Sequence, residues 1–192
     1  MRLGAVLLAV LALQVPARAD TDHLSDPQDT AGSLDVEDIR QAHGDRHAYL
    51  RHRITTFEGW DDRVVGGGGY IEYVFSTGGD SCAEKRVLIE RRNGELKAFI
   101  QDFDPICGPD DDFRAIGEPV RMHARVGRPD ARTIVLAFDR SELGDLENNY
   151  YSWSVRTKFQ SKACSDERND LCIDSAPDSG GGKRGVLAHD LS

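Results

Sequence analysis

Residues 86–101 read RVLIERRNGELKAFIQ. Two apolar runs, RVLIER and LKAFIQ, flank Asn93-Gly94. An Asn-Gly pair supplies the two positive φ angles that a type I′ hairpin needs. Two such runs joined by a two-residue Asn-Gly turn read as a β-hairpin. An antiparallel hairpin over 86–101 is therefore the local prediction on which the fold class turns.

Working outward, the same pattern recurs. Residues 48–57, AYLRHRITTF, place Leu50, His52, Ile54 and Thr56 on one face. YIEYVFST places Ile71, Tyr73 and Phe75 together, and YYSWSVRTKF places Tyr151, Trp153, Val155 and Phe159 together. LDVEDI near residue 34 reads as a first strand, and VLAHDL near the end as a last edge strand. VRMHARV, the turn GRPDAR and TIVLAF predict a second hairpin, and SELG a helical corner. GGGG at 66–69 reads as a flexible link. After the first residues no window sustains a 3.6-residue period. About eight short strands with frequent turn signals predict an all-β, antiparallel sandwich of jelly-roll type. The expected organisation is a leader over 1–19, an extended acidic lead-in over 20–33 and one sandwich domain over 34–192.

The leader is read from MRLGAVLLAVLALQVPARAD. Arg2 precedes an apolar run, Pro16 breaks it, and Ala17-Arg18-Ala19 is a small-x-small cleavage site, as in a secretory signal peptide. The run is shorter than the roughly 20 residues a membrane span needs. Cleavage after Ala19 and secretion are expected. The formal net charge of −9 argues against a nucleic-acid partner bound through its phosphates and against docking on an anionic membrane.

Four cysteines, Cys82, Cys107, Cys164 and Cys172, all follow the leader. An even count in an exported chain implies disulfides. Three pairings are possible. Chain proximity favours Cys164–Cys172, worth ~2–3 kcal/mol, and Cys82–Cys107, worth ~3–4 kcal/mol by loop-closure entropy. Their spacings do not match the short paired spacings of a zinc site.

Two stretches mimic a serine protease. RVVGG at 63–67 resembles an activation site, and DSGG at 178–181 a nucleophile motif. Too few residues follow Val64 for a two-barrel body of roughly 200 residues. Of the histidines beyond it, His123 lies in mid-strand and His189 follows the serine, so no triad is expected. His43, His47 and His52 lack helical zinc spacing, and His52 shares the inward face of Leu50.

Acidic residues crowd three places: Asp26, Asp29 and Asp35; Asp102, Asp104 and Asp110 to Asp112; and Asp174 with Asp178. Calcium takes six to eight oxygens, and Asp-rich loops suit it. Calcium is the candidate cofactor, with Asp102, Asp104, Asp110 and Asp112 as candidate ligands in a loop anchored by Cys107. Trp60, Tyr70, Tyr150 and Trp153 are the aromatic candidates for a sugar platform. Trp153 reads as core and Trp60, in FEGWDD, as the more exposed.

The ordered set LDVEDIRQAHGDRHAYLRHRITTF, GYIEYVFSTGGD, RPDARTIVLAF and YSWSV with a cysteine pair resembles a group of small secreted bacterial β-sandwich proteins of unknown function. Its first two stretches are similar to carbohydrate-binding modules of the family 9 and DOMON type. That resemblance implies a β-sandwich and a binding role, with Asp80 in Ser76-Thr77-Gly78-Gly79-Asp80 as the acid at the closing position. The leading expectation is a non-catalytic module for an extracellular glycan or cell-wall ligand, with Trp60, Tyr70 and Asp80 as candidate contacts. A hydrolase using loop carboxylates and a structural or protein-interaction domain are the alternatives.

Overall fold

The computed structural model describes residues 21–44, 48–78, 82–106, 115–164, 170–179, 183–184 and 187–191. They form two antiparallel sheets and no α-helix. The first contains β1 (Thr21–Ser25), β2 (Val36–His43), β3 (Tyr49–Thr56), β8 (Ala124–Gly127) and β9 (Thr133–Asp139), in the order β1-β2-β3-β9-β8. The second contains β4 (Tyr70–Ser76), β5 (Ala83–Arg92), β6 (Glu95–Ile106), β7 (Ala115–Arg121), β10 (Tyr150–Gln160) and β11 (Leu171–Ala176), in the order β11-β10-β4-β5-β6-β7. β14 (Leu187–Asp190) pairs with the start of β10, on the edge where β11 pairs with its end. β12 (Asp178–Ser179) and β13 (Lys183–Arg184) make a small separate ladder.

The 86–101 hairpin forms as its sequence dictates. Arg92 faces Glu95, Leu88 faces Phe99, and Asn93 and Gly94 adopt φ of 54° and 84°. The inward residues of both sheets meet in one core. At its centre His52, fully buried, is ringed by Tyr73, Phe75, Phe138, Tyr151 and Trp153. It stacks on Phe138 with ring centres 5.4 Å apart and lies 3.1 Å from the Tyr151 hydroxyl. Aromatic groups here contribute both area and edge-to-face geometry.

Four expectations change. The two sheets hold five strands and six plus the short β14, not about eight in all, because β1, TDHLS, lies in the stretch read as a lead-in and β7, AIGEPVR, carries Gly117 and Pro119 and buries no residue. The lead-in over 20–33 is not wholly extended linker: Thr21–Ser25 pairs with Asp38–Ala42. VRMHARV is not one strand of a hairpin. It breaks at Met122, and its halves join different sheets, β7 with β6 and β8 with β9. Met122 is buried at that crossing while Val120 is 65% exposed.

The fourth change is the GGGG run, which is a tight turn. Gly69 N–H donates to the Gly66 carbonyl, and a Cβ at Gly69 would lie 2.1 Å from the Val64 oxygen. Of the two expected bridges, Cys164–Cys172 is present. Cys107 lies outside the described residues, so one bridge rather than two is described.

Candidate functional site

β4 turns Ile71, Tyr73 and Phe75 into the core. Its alternate residues, Tyr70, Glu72 and Val74, therefore lie on the outer face of the six-strand sheet. Register sets their neighbours: Glu72 lies opposite Arg156 of β10, Val74 opposite Arg86 of β5, and Arg86 opposite Gln101 of β6. The result is a continuous polar row. Arg156 donates to the Tyr70 hydroxyl at 3.0 Å and its Nε lies 3.2 Å from Glu72 Oε2. Arg86 Nη1 donates to Glu72 Oε1 at 3.2 Å, and Arg86 Nε donates to Gln101 Oε1 at 2.9 Å. Gln101 Nε2 in turn donates to the Gly117 carbonyl of β7. The row thus crosses β10, β4, β5, β6 and β7.

Its electrostatics follow from burial. The Glu72 side chain is 1% exposed, while Arg86 and Arg156 keep 22% and 29%. One buried carboxylate between two half-exposed guanidinium groups leaves a positive excess. Burial pulls the Arg156 pKa down, but the Glu72 charge and the Tyr70 hydrogen bond outweigh it and the net shift is upward. Lys158 adds a third cation, its Nζ 5.6 Å from the Tyr70 ring centre. Arg86 also lies 5.0 Å from the Phe103 ring centre and Arg92 4.0 Å from that of Phe99. Aromatic faces and guanidinium forks alternate here. Such forks recognise carboxylate, sulfate or phosphate in a bidentate manner.

The predicted contacts scatter. Tyr70 joins this row. Trp60 is buried, not exposed: Arg128 covers its ring at 3.7 Å and donates to the Trp60 and Ala131 carbonyls. It edges an open cleft of about 720 Å³, bordered by Asp61, Arg63 and Arg91 among others. Asp80 lies outside the described residues. So do Asp110 and Asp112.

Asp102 and Asp104 sit on β6, exposed, in a strand rather than an ion-holding loop. Asp102 accepts a hydrogen bond from Lys85 Nζ at 2.6 Å. Cys164 and Cys172 are bonded to each other, with Cα atoms 5.4 Å apart. Cys82 is buried at the start of β5.

Another group of acids does converge. Asp26, Asp29 and Asp174, from residues far apart in the chain, bring carboxylate oxygens within 4.8 Å of one another. Asp174 accepts from the Val36 and Ser175 amides at 2.6 and 2.8 Å. Burial, with the charges of Asp26 and Asp29 and against those two amides, pushes its pKa up to about 7. The sequence shows each acidic run but not their meeting, which needs the register of β11 against the β1–β2 connection.

Comparison with protein-family models, with curated proteins and with solved structures finds no match.

Proposed function

We propose that the chain is a non-catalytic, exported binding module of jelly-roll type. Its ligand is an extracellular polysaccharide or cell-wall polymer carrying acidic groups. The observation that carries this reading is the Arg156–Glu72–Arg86 row with Tyr70 and Lys158, a cationic strip on a chain of net charge −9. A local positive strip on an acidic molecule selects anionic ligands and steers them to one face. The Tyr70 hydroxyl, which accepts a hydrogen bond from Arg156, supplies a neutral hydrogen-bonding group within it. The hydrolase alternative gains little from the acid group at Asp174, since Asp26 and Asp174 are only 5% and 4% exposed and leave no room for substrate.

The test is affinity electrophoresis in gels cast with polygalacturonate or with a neutral mannan. Polygalacturonate should retard the chain, less so as salt rises, and mannan should not. The paired neutral variant Glu72→Gln with Arg156→Gln keeps hydrogen-bonding shape while removing one charge of each sign. The further loss of Arg86 (Arg86→Gln) should abolish retardation. Equal retardation by both gels, or none, rejects the reading. The proposal also assigns a Cys82–Cys107 bridge and cleavage after Ala19. Non-reducing peptide mapping and N-terminal sequencing of exported protein check these two points.

A further inference from the structure

The outer face of the five-strand sheet carries a second set of cations, on the far side of the sandwich from the Arg156–Glu72–Arg86 row. Burial alternates along β3, so Leu50, His52 and Ile54 enter the core while Tyr49, Arg51 and Arg53 face outward. On β8 Arg125 is exposed, while Ala124 and Val126 pack against the core. β9 lies between these two strands, and register puts Ala137 directly opposite both Arg51 and Arg125. On its other side Arg51 faces Ala42 of β2. The side chains directly opposite these two arginines are therefore methyl groups, whereas Arg156 of the other sheet faces Glu72.

Their charge stays uncompensated. None of the ion pairs among the described residues includes Arg51, Arg53, Arg121 or Arg125. Arg53 stands directly opposite Arg40, and like charges in that position destabilise a sheet. Its Nη2 lies 3.5 Å from the Thr133 hydroxyl, and its buried Nε has no hydrogen-bond partner. The carboxylates of this side are engaged elsewhere. Asp38 pairs with His23 and Arg40, Glu37 with Arg132, and Glu142 with His123. Asp139 and Asp130 accept from the Ser141 and Arg132 amides. The Arg53 charge acts on Asp130, which leaves Arg51 and Arg125 as the freer pair.

From this placement we infer that Arg51 and Arg125, over the Ala137 methyl and backed by Arg53, bind the phosphate group of a small organic phosphate ester. Across β9 the Cα atoms of Arg51 and Arg125 are separated by two interstrand spacings, about 10 Å. Half that span is shorter than an arginine side chain, so both forks reach one group above Ala137. A phosphate ester carries about −1.5 to −2 charge near neutral pH and three acceptor oxygens, enough for two forks at once. The row on the other sheet holds a carboxylate of its own between its arginines. This pair holds none, and a dianion answers it better than a single carboxylate does. The carbon part of the ester has a place beside it. Tyr49, 43% exposed and two residues before Arg51 on the same face, borders a recess of about 550 Å³ together with Arg121, His123 and Arg125. The phenol ring offers an apolar face there. The site is separate from the polysaccharide-binding row and goes beyond that reading.

The experiment is calorimetric titration of the chain with glucose 1-phosphate, inorganic phosphate and glucuronate near neutral pH and at low salt. Glucose 1-phosphate should bind one per chain, at least about tenfold more tightly than glucuronate. Arg51 and Arg125 are exposed, so Arg51→Gln and Arg125→Gln should keep the far-ultraviolet spectrum. Each should lose at least about tenfold in affinity for the ester. Both should keep wild-type retardation by polygalacturonate, which separates this site from the row on the other sheet; the heats are read without reference to that retardation. Tyr49→Ala should weaken the ester and leave inorganic phosphate unchanged. No saturable heat at about 10 mM glucose 1-phosphate would overturn the site. So would Arg51→Gln and Arg125→Gln variants that bind like wild type. Inorganic phosphate binding as tightly as the ester would overturn the role of the recess, and glucuronate binding as tightly would overturn the choice of phosphate.

Discussion

Asp174 shows how one side chain links charge, burial and stability. Its folded pKa is raised to about 7 by burial first, with the Val36 amide opposing and the Asp26 and Asp29 charges adding. An unfolded aspartate titrates near 3.9. Between those values the folded chain holds a proton that the unfolded chain has lost. Stability from this group is therefore highest below about pH 4 and declines as pH rises toward 7, then levels off. The groups facing the carboxyl are Asp26 and Asp29, the Thr30 hydroxyl and the Val36 and Ser175 amides. In chelator, wild type should lose melting temperature between pH 5 and about 7.5, and Asp174→Asn should flatten that slope. A wild-type slope of the opposite sign, unchanged in the variant, would show that Asp174 is not the responsible group.

Single residues were unevenly legible. His52 was readable as core because it shares a face with Leu50 and Ile54, and it is buried among aromatics. Trp60 was not, because its cover, Arg128, is distant in sequence and no local pattern announces a guanidinium over an indole.

At the scale of elements, the Asn93-Gly94 hairpin is legible because its turn chemistry and the two apolar runs it joins are adjacent in the chain. Gly94 holds φ of 84°, a region where a side chain costs about 1–2 kcal/mol. Gly94→Ala should lower the unfolding free energy by that amount, read as a lower urea midpoint with an unchanged denaturant slope.

The GGGG run reads as slack because glycine permits many conformations, and only packing reveals which is used. At Gly69 an added methyl would meet the Val64 carbonyl at 2.1 Å and the Lys158 carbonyl at 3.2 Å, both backbone. Neither can swing aside, so Gly69→Ala should cost about 1–3 kcal/mol or more by overpacking. Gly67→Ala has open space around it but a φ of 61°, so its cost should be the smaller strain alone. Equal midpoints for the two variants in chemical denaturation would restore the flexible reading. VRMHARV misled for a different reason. The sequence alternates across Met122, but the strand changes sheets there and Val120 lies exposed on β7, so the pattern hides the break.

At the scale of the molecule, the outer polar row was partly visible and the acid group was not. Tyr70, Glu72, Arg86 and Arg156 each occupy outward positions of well-patterned strands, so the sequence marks them as a face. Their adjacency depends on the order β10-β4-β5-β6, which joins distant segments. Asp26, Asp29 and Asp174 meet only because β11 lies against the β1–β2 connection, a contact between the two sheets.

The bridge between Cys164 and Cys172 holds that same region. Both sulfur atoms lie 3.4 Å from the Ala31 carbonyl oxygen, directly after the Asp29–Thr30 turn, and Asp174 follows Cys172 by two residues. Opening the bridge frees the short loop between the cysteines in the unfolded chain. It also removes the anchor that presses β11 on the turn. A Cys164→Ala, Cys172→Ala variant should therefore lose about 2–3 kcal/mol of stability in denaturant. Because the row on the outer face lies on different strands, its ligand affinity should survive in the same variant at temperatures where it is folded. Loss of polysaccharide retardation together with stability, in a variant still folded by circular dichroism, would mean that β11 holds Arg156 and Lys158 of the adjacent β10 in place. An unchanged denaturant midpoint would mean that β11 is held by its ladder with β10 alone.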